Sequence, residues 1–118
     1  MAKHLQTGRQ GEQMGELFLV NNGYRLIEKN WRHSRWEVDI IVEKDNVLHF
    51  IEIKTRRTKN FGMPEEKVGA KKIKNLINAA EEYLYLHPGW KRIQFDILSI
   101  TMFSKEPCEY FLIEDVYL

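Results

Sequence analysis

WEVDIIVEKDNVLHFIEIKTRR, residues Trp36 to Arg57, decides how the rest of the chain is read. Val38, Ile40 and Val42 alternate with Glu37, Asp39 and Ile41, and Leu48 and Phe50 alternate with His49 and Ile51. A period of two marks strands, so two strands flank Asp45-Asn46. Both turn residues tolerate the left-handed backbone that a tight hairpin requires. With those two in the loop, Lys44 pairs with Val47, Asp39 faces Glu52 and Glu37 faces Lys54. Opposite side chains share a face, so these four residues are expected to form one polar cluster on an apolar hairpin. Val38, Ile40, Val42, Ile51 and Ile53 are expected as core, with His49 among them as a core or edge histidine.

Two carboxylates directly opposite one another repel, by on the order of 4 kcal/mol at ~4 Å and an effective dielectric of about 20. Something must offset that repulsion. Lys54 contributes, but a hard divalent cation suits two converging carboxylates best, and Mg²⁺ is commonly held by one or two carboxylates, waters and phosphate oxygens. The competing reading is a salt-bridge network on a solvated sheet face. Grouping of the polar residues at one end of the hairpin favours the metal seat.

Working outward, Lys3 to Asn22 reads as a helix stopped by Asn21-Asn22-Gly23. Gly8, Gly11 and Gly15 share a helical face with Glu12, and each glycine lowers helix stability by about 1 kcal/mol against alanine. Such a face permits close backbone approach, so it is expected to lie on the sheet and aim Glu12 at the hairpin carboxylates. Glu16, one turn on, is a weaker candidate. Tyr24 to Trp31 reads as a strand and Arg32 to Arg35 as a basic loop.

Downstream of the hairpin, Arg56 to Met63 is a polar loop and Pro64 suits the first turn of a helix. Ile73, Leu76, Ile77, Ala80, Tyr83 and Leu84 recur at helical spacing up to His87-Pro88-Gly89. Ile93 to Ile100 reads as a strand parallel to the hairpin's second strand, reached through that helix, and Tyr110 to Glu114 as a last strand. Asp96 is expected as a structural hydrogen-bonder. The order α-β-β-β-α-β-β describes an α/β domain with a mixed sheet of about five strands and two main helices.

At 118 residues, 43% hydrophobic and 30% charged, the chain reads as one globular domain, residues 1–118. No apolar run approaches a membrane span, no apolar signal-peptide core is visible, and Cys108 stands alone, so the cytoplasm is the expected location, without a membrane partner. Net charge is only +1. Its distribution is uneven, with eight basic against two acidic residues between Lys54 and Lys74 and one against four between Lys105 and Leu118. The positive stretch follows the carboxylate cluster, where a polyanionic backbone would be held, and singles out Arg56, Arg57, Lys59, Lys71 and Lys72 as nucleic-acid contacts. Lys72 also stands near a helix N-terminus, which favours phosphate.

Asp39 followed by Glu52-Ile53-Lys54 resembles the PD-(D/E)xK nuclease signature. Gly8, Gly11 and Glu12, Gly23-Tyr24, Asn30-Trp31-Arg32, Glu37-Val38-Asp39, Glu52 to Arg56, Phe61-Gly62, Pro64-Glu65-Glu66, Lys72 and Phe95-Asp96 together resemble the small bacterial YraN-type endonuclease-like family. One position departs, since the family carries Gly before Glu-x-Asp and this chain has Trp36, a side chain expected to narrow the cleft mouth. The resemblance implies a restriction-endonuclease-like αβββαβ core, similar to that of Holliday junction resolvases, and metal-dependent hydrolysis of phosphodiesters in nucleic acid, DNA before RNA. It implies Asp39, Glu52 and Glu12 as catalytic ligands of Mg²⁺ or Mn²⁺, Lys54 as the catalytic lysine and Glu37 as its support. Two alternatives stand beside it. One is a nucleic-acid-binding module that does not cut. The other is a partner-dependent subunit, joined to a second copy or another protein through the acidic C-terminal strand with Tyr110, Phe111, Tyr117 and Leu118.

Overall fold

The structure, a computed structural model, describes residues 2–57, 70–103 and 106–116, with side chains from Arg9 and, after the gap, from Lys72. Seven elements follow in order: α1 (Ala2–Asn21), β1 (Arg25–His33), β2 (Trp36–Lys44), β3 (Val47–Arg56), α2 (Ala70–Leu86), β4 (Ile93–Thr101) and β5 (Glu109–Ile113). The strands form one mixed sheet in the order β1-β2-β3-β4-β5, with β3 and β4 parallel and the other neighbours antiparallel. This is the α/β architecture expected from the pattern, compatible with a restriction-endonuclease-like fold. The expected start of the second helix at Pro64 lies outside the described residues.

Each face of the sheet is covered by one helix. Leu19 of α1, with Met14 and Phe18, packs on Ile40, Val42, Ile51, Ile53, Leu98 and Ile100. On the opposite face, Leu76, Ala79, Ala80 and Tyr83 of α2 pack on Val38, Ile41, Leu48, Phe50 and Phe95. Tyr83 meets Trp31 and Phe50 edge to face, with ring centroids 5.2 and 5.8 Å away, geometry that aromatic quadrupoles favour. Helix α1 stops where Gly23 adopts a left-handed backbone (φ 92°), and the Gly23 and Tyr24 N–H groups donate to Val20 and Leu19 carbonyls.

The glycine face of α1 does lie on the sheet. A methyl group at Gly11 would collide with the Thr55 side chain, and one at Gly15 would come within 2.9 Å of Ile53 Cδ1. Gly11→Ala is therefore expected to lower stability by about 1–2 kcal/mol in urea unfolding, because overpacking against the short Thr55 side chain outweighs a helix-propensity gain of about 1 kcal/mol. A variant as stable as the parent would show that α1 can lift from β3 without loss.

The tight hairpin forms as expected, with Asp45 and Asn46 both left-handed (φ 53° and 67°) and Lys44 opposite Val47. Its pairing runs only as far as Ile40 opposite Ile51. Beyond that level β2 stays with β1, pairing Val38 with Trp31, Glu37 with Arg32 and Trp36 with His33. The expected Asp39–Glu52 and Glu37–Lys54 pairs are not part of the ladder. Val38 packs in the α2 layer and Ile40 in the α1 layer, although residues two apart in a regular strand share a face, so β2 rotates at Asp39. Alternation alone cannot show such a turn. Arg32 and His33, expected in a loop, extend β1, and the reversal narrows to Ser34-Arg35, with Ser34 left-handed (φ 57°).

Candidate functional site

The point where β2 leaves β3 is where the acidic residues gather. Lacking a backbone partner on β2, the Ile53 N–H donates to Asp39 Oδ2 at 2.8 Å, so the carboxylate takes the place of a ladder carbonyl. Asp39 thus lies in a seam between two strands rather than on a face. Ile51 and Ile53 turn to the α1 layer, so Glu52 and Lys54 turn the other way, and Glu52 Oε1 there receives Lys72 Nζ of α2 at 3.3 Å. The single polar face expected for Asp39 and Glu52 is therefore corrected to an open seam with Glu52 on its α2 side. Lys72, expected on a nucleic-acid-binding surface, belongs to the carboxylate group itself.

Glu12 approaches from α1, one residue after the glycine that lets the helix touch β3. It shares a cleft of about 180 Å³ with Asn30, Asp39 and Ile53, with Arg9 and Lys29 at its sides. The Asn30 amide, in its hydrogen-bonding orientation, donates to both Glu12 oxygens at 3.3 Å, from a left-handed backbone (φ 50°). Charge and periodicity missed Asn30, which the sequence named only as a member of the family-like run Asn30-Trp31-Arg32, without a role. Glu16 instead pairs with Lys29 at 3.1 Å.

Electrostatics tie these groups together. Burial pushes the Asp39 carboxyl up from 3.8 to about 7, the negative charge of Glu52 adds to this, and Glu12 and Glu37 add less, while the Ile53 N–H opposes them. The Asp39 carboxylate is thus held in a field of three other acids. Glu37 itself pairs with Arg32, not with Lys54. Trp36, expected to narrow the cleft, packs on the α2-side cluster with the Arg35 guanidinium 4.8 Å over its ring.

Among the described residues, no three His, Cys, Asp or Glu side chains come close enough together to hold a metal ion as a preformed group. The expected Asp39, Glu52 and Glu12 triad is not assembled as a ligand set. What the seam offers is a hard-oxygen pair and the neighbouring backbone, which fits Mg²⁺, a cation that keeps most of its waters. Arg56 ends β3 half-buried and Arg57 follows it exposed, while the Lys59 and Lys71 side chains lie outside the described residues. No described helix is long and apolar enough to cross a membrane.

Fold and site together define an α/β domain with a mixed five-stranded sheet and an acidic seam between its second and third strands. Residues 11–100 match the model of the "Uncharacterised protein family UPF0102". A UPF0102 protein of Chloroherpeton thalassium is 36% identical over 125 residues, covering 99% of this chain and 97% of its own. Those of Cytophaga hutchinsonii and Chlorobium phaeobacteroides are 41% and 42% identical, over 84% and 82% of this chain and 88% and 77% of theirs. The chain belongs to the UPF0102 family.

Proposed function

We propose that the chain is a metal-dependent endonuclease of the YraN type, hydrolysing phosphodiester bonds in nucleic acid, with DNA as the leading substrate and Mg²⁺ or Mn²⁺ as cofactor. One observation carries this reading: a seam that holds Asp39 against the charges of Glu52 and Glu12 and that a divalent cation would relieve. Asp39, Glu52 and the Ile53 carbonyl would hold the ion, which when bound polarises a phosphate and acidifies water. Lys54, two residues from Glu52 along β3, offsets charge developing on phosphorus. Glu12, oriented by Asn30, accepts a proton or orients water from the α1 side. Arg9, Lys29 and Lys72, arranged around the acids, hold the flanking phosphates.

A second reading is a module that binds nucleic acid without cutting it. The Lys72–Glu52 contact favours it, because an ammonium beside Glu52 can serve where a metal would. Incubation with linear, nicked, flapped and four-way-junction DNA and with RNA, with and without Mg²⁺ or Mn²⁺, separates the two. Cutting that needs the metal and falls about 10²–10³-fold in Lys54→Ala, while salt-dependent binding is kept, is the expected result. Activity surviving intact in Glu52→Gln rejects the nuclease, and tight binding without cutting on any substrate selects the module.

A further inference from the structure

A second polar centre lies toward the hairpin-turn end of the sheet, outside the carboxylate seam. His49 on β3 is 5% exposed and Asp96 on β4 fully buried. His49 Nδ1 lies 2.7 Å from Asp96 Oδ2, and the same carboxylate accepts the Gln94 side-chain amide and the Asp115 backbone N–H, each at 2.9 Å. Asp96 is thus fully engaged and fixes the imidazole through one nitrogen, which sets the role of the other.

The other nitrogen, Nε2, has no protein partner among the described residues, and His49 lines an open cleft of about 320 Å³. A buried ring fixed by Asp96 thus lines a space large enough for a small molecule. Across that cleft stand Tyr24, Lys44, Arg92 and Glu114. Lys44 Nζ is held 3.0 Å from the Asn22 carbonyl and 4.9 Å over the Tyr24 ring, so its charge is placed rather than loose. Burial, with the charges of Glu114 and Asp96, raises the Tyr24 pKa and keeps its hydroxyl protonated as a donor.

The cleft therefore sets two cations, Lys44 and Arg92, beside two acids, Asp45 and Glu114, with the Tyr24 hydroxyl and His49 Nε2 between them. An anion can sit on the cations while the acids and the imidazole take the hydroxyls of whatever carries it. We infer that this cleft is a binding site for a small hydroxylated phosphomonoester of about the size of a nucleoside monophosphate, held by Arg92 and Lys44 at its phosphate and by His49 at a hydroxyl. The inference is independent of whether the seam cuts nucleic acid.

The test follows the His49 ring resonances by ¹⁵N NMR of the full chain during titration with a nucleoside 5′-monophosphate, the matching nucleoside, and inorganic phosphate. Saturable shifts of the His49 ring with the monophosphate, at a Kd of about 1 mM or tighter, at least tenfold weaker in Arg92→Ala and unchanged in Asp39→Asn, are the expected result. Arg92 is exposed and its bond to the core residue Leu48 runs through its backbone carbonyl, which alanine keeps, so that variant is expected to keep the fold. His49→Gln, with a matched amide spectrum, should bind more weakly by the loss of one hydroxyl contact. No shift with any of the three probes, an equal affinity for inorganic phosphate alone, or indifference to Arg92→Ala overturns the assignment.

Discussion

Asp39→Asn is expected to abolish metal-dependent cleavage and, in the metal-free protein, to raise stability above pH 7. The folded pKa of Asp39 is raised from 3.8 to about 7. Between those values the folded chain keeps a proton that the unfolded chain has released. Stability therefore falls as pH rises through that window and reaches its floor above the folded pKa. Three pH units correspond to at most about 4 kcal/mol, all of it absent near pH 4. Asparagine removes the charge and still offers Ile53 a carbonyl oxygen, so the gain should appear at pH 8 and vanish at pH 4. Mg²⁺ should narrow that gap, stabilising the parent by roughly 2.7 kcal/mol at a hundred times its Kd and leaving the variant unmoved. Thermal unfolding at pH 4 and 8, with and without Mg²⁺, reads all four corners. A parent with no pH-dependent deficit and no response to Mg²⁺ would remove the physical basis of the seam as a metal seat.

The second large effect belongs to Asp96. Replacing it by alanine strips one carboxylate from three partners at once: the His49 ring, the Gln94 amide and the Asp115 N–H. Removing one member of such a buried polar group typically lowers stability by about 3–5 kcal/mol, a large share of the roughly 5–15 kcal/mol that holds a domain together. A fall in Tm on the order of 10–20 °C is expected in Asp96→Ala. Asp96→Asn, which keeps an acceptor, should lose about half as much. The damage should reach past β4, since the Asp115 contact and the Val116 N–H to Phe95 carbonyl bond at 2.8 Å both fasten the segment after β5. Equal stability of the alanine variant and the parent would mean that water satisfies the site as well as the carboxylate does.

Most of the architecture could be read from periodicity. Alternation located the hairpin and its two-residue turn, the run from Ile73 to Leu84 located the second helix, and glycines around Glu12 foretold a helix seated on the sheet. What stayed hidden was a departure from regularity. A register argument assumes that a ladder continues, so it paired Asp39 with Glu52 and Glu37 with Lys54; the strands part just before that level. Nothing in alternating residues announces a rotation at a single aspartate, because Val38 and Ile40 are equally apolar and fit either layer. Likewise Lys72 reads as one more surface cation until the packing of α2 brings it to Glu52. Asp96 was legible only as a hydrogen-bonder, and its partnership with His49, 47 positions earlier, arises from the parallel placement of β3 and β4.

The substitution of a side-chain acceptor for a main-chain one at Ile53 makes that amide a natural indicator. Its neighbours in the strand exchange with solvent at rates set by the opening of the sheet, whereas its own protector can be titrated, mutated or recruited elsewhere. Deuterium uptake at this one position should therefore report the occupancy of Asp39, proton or cation, without any substrate being needed.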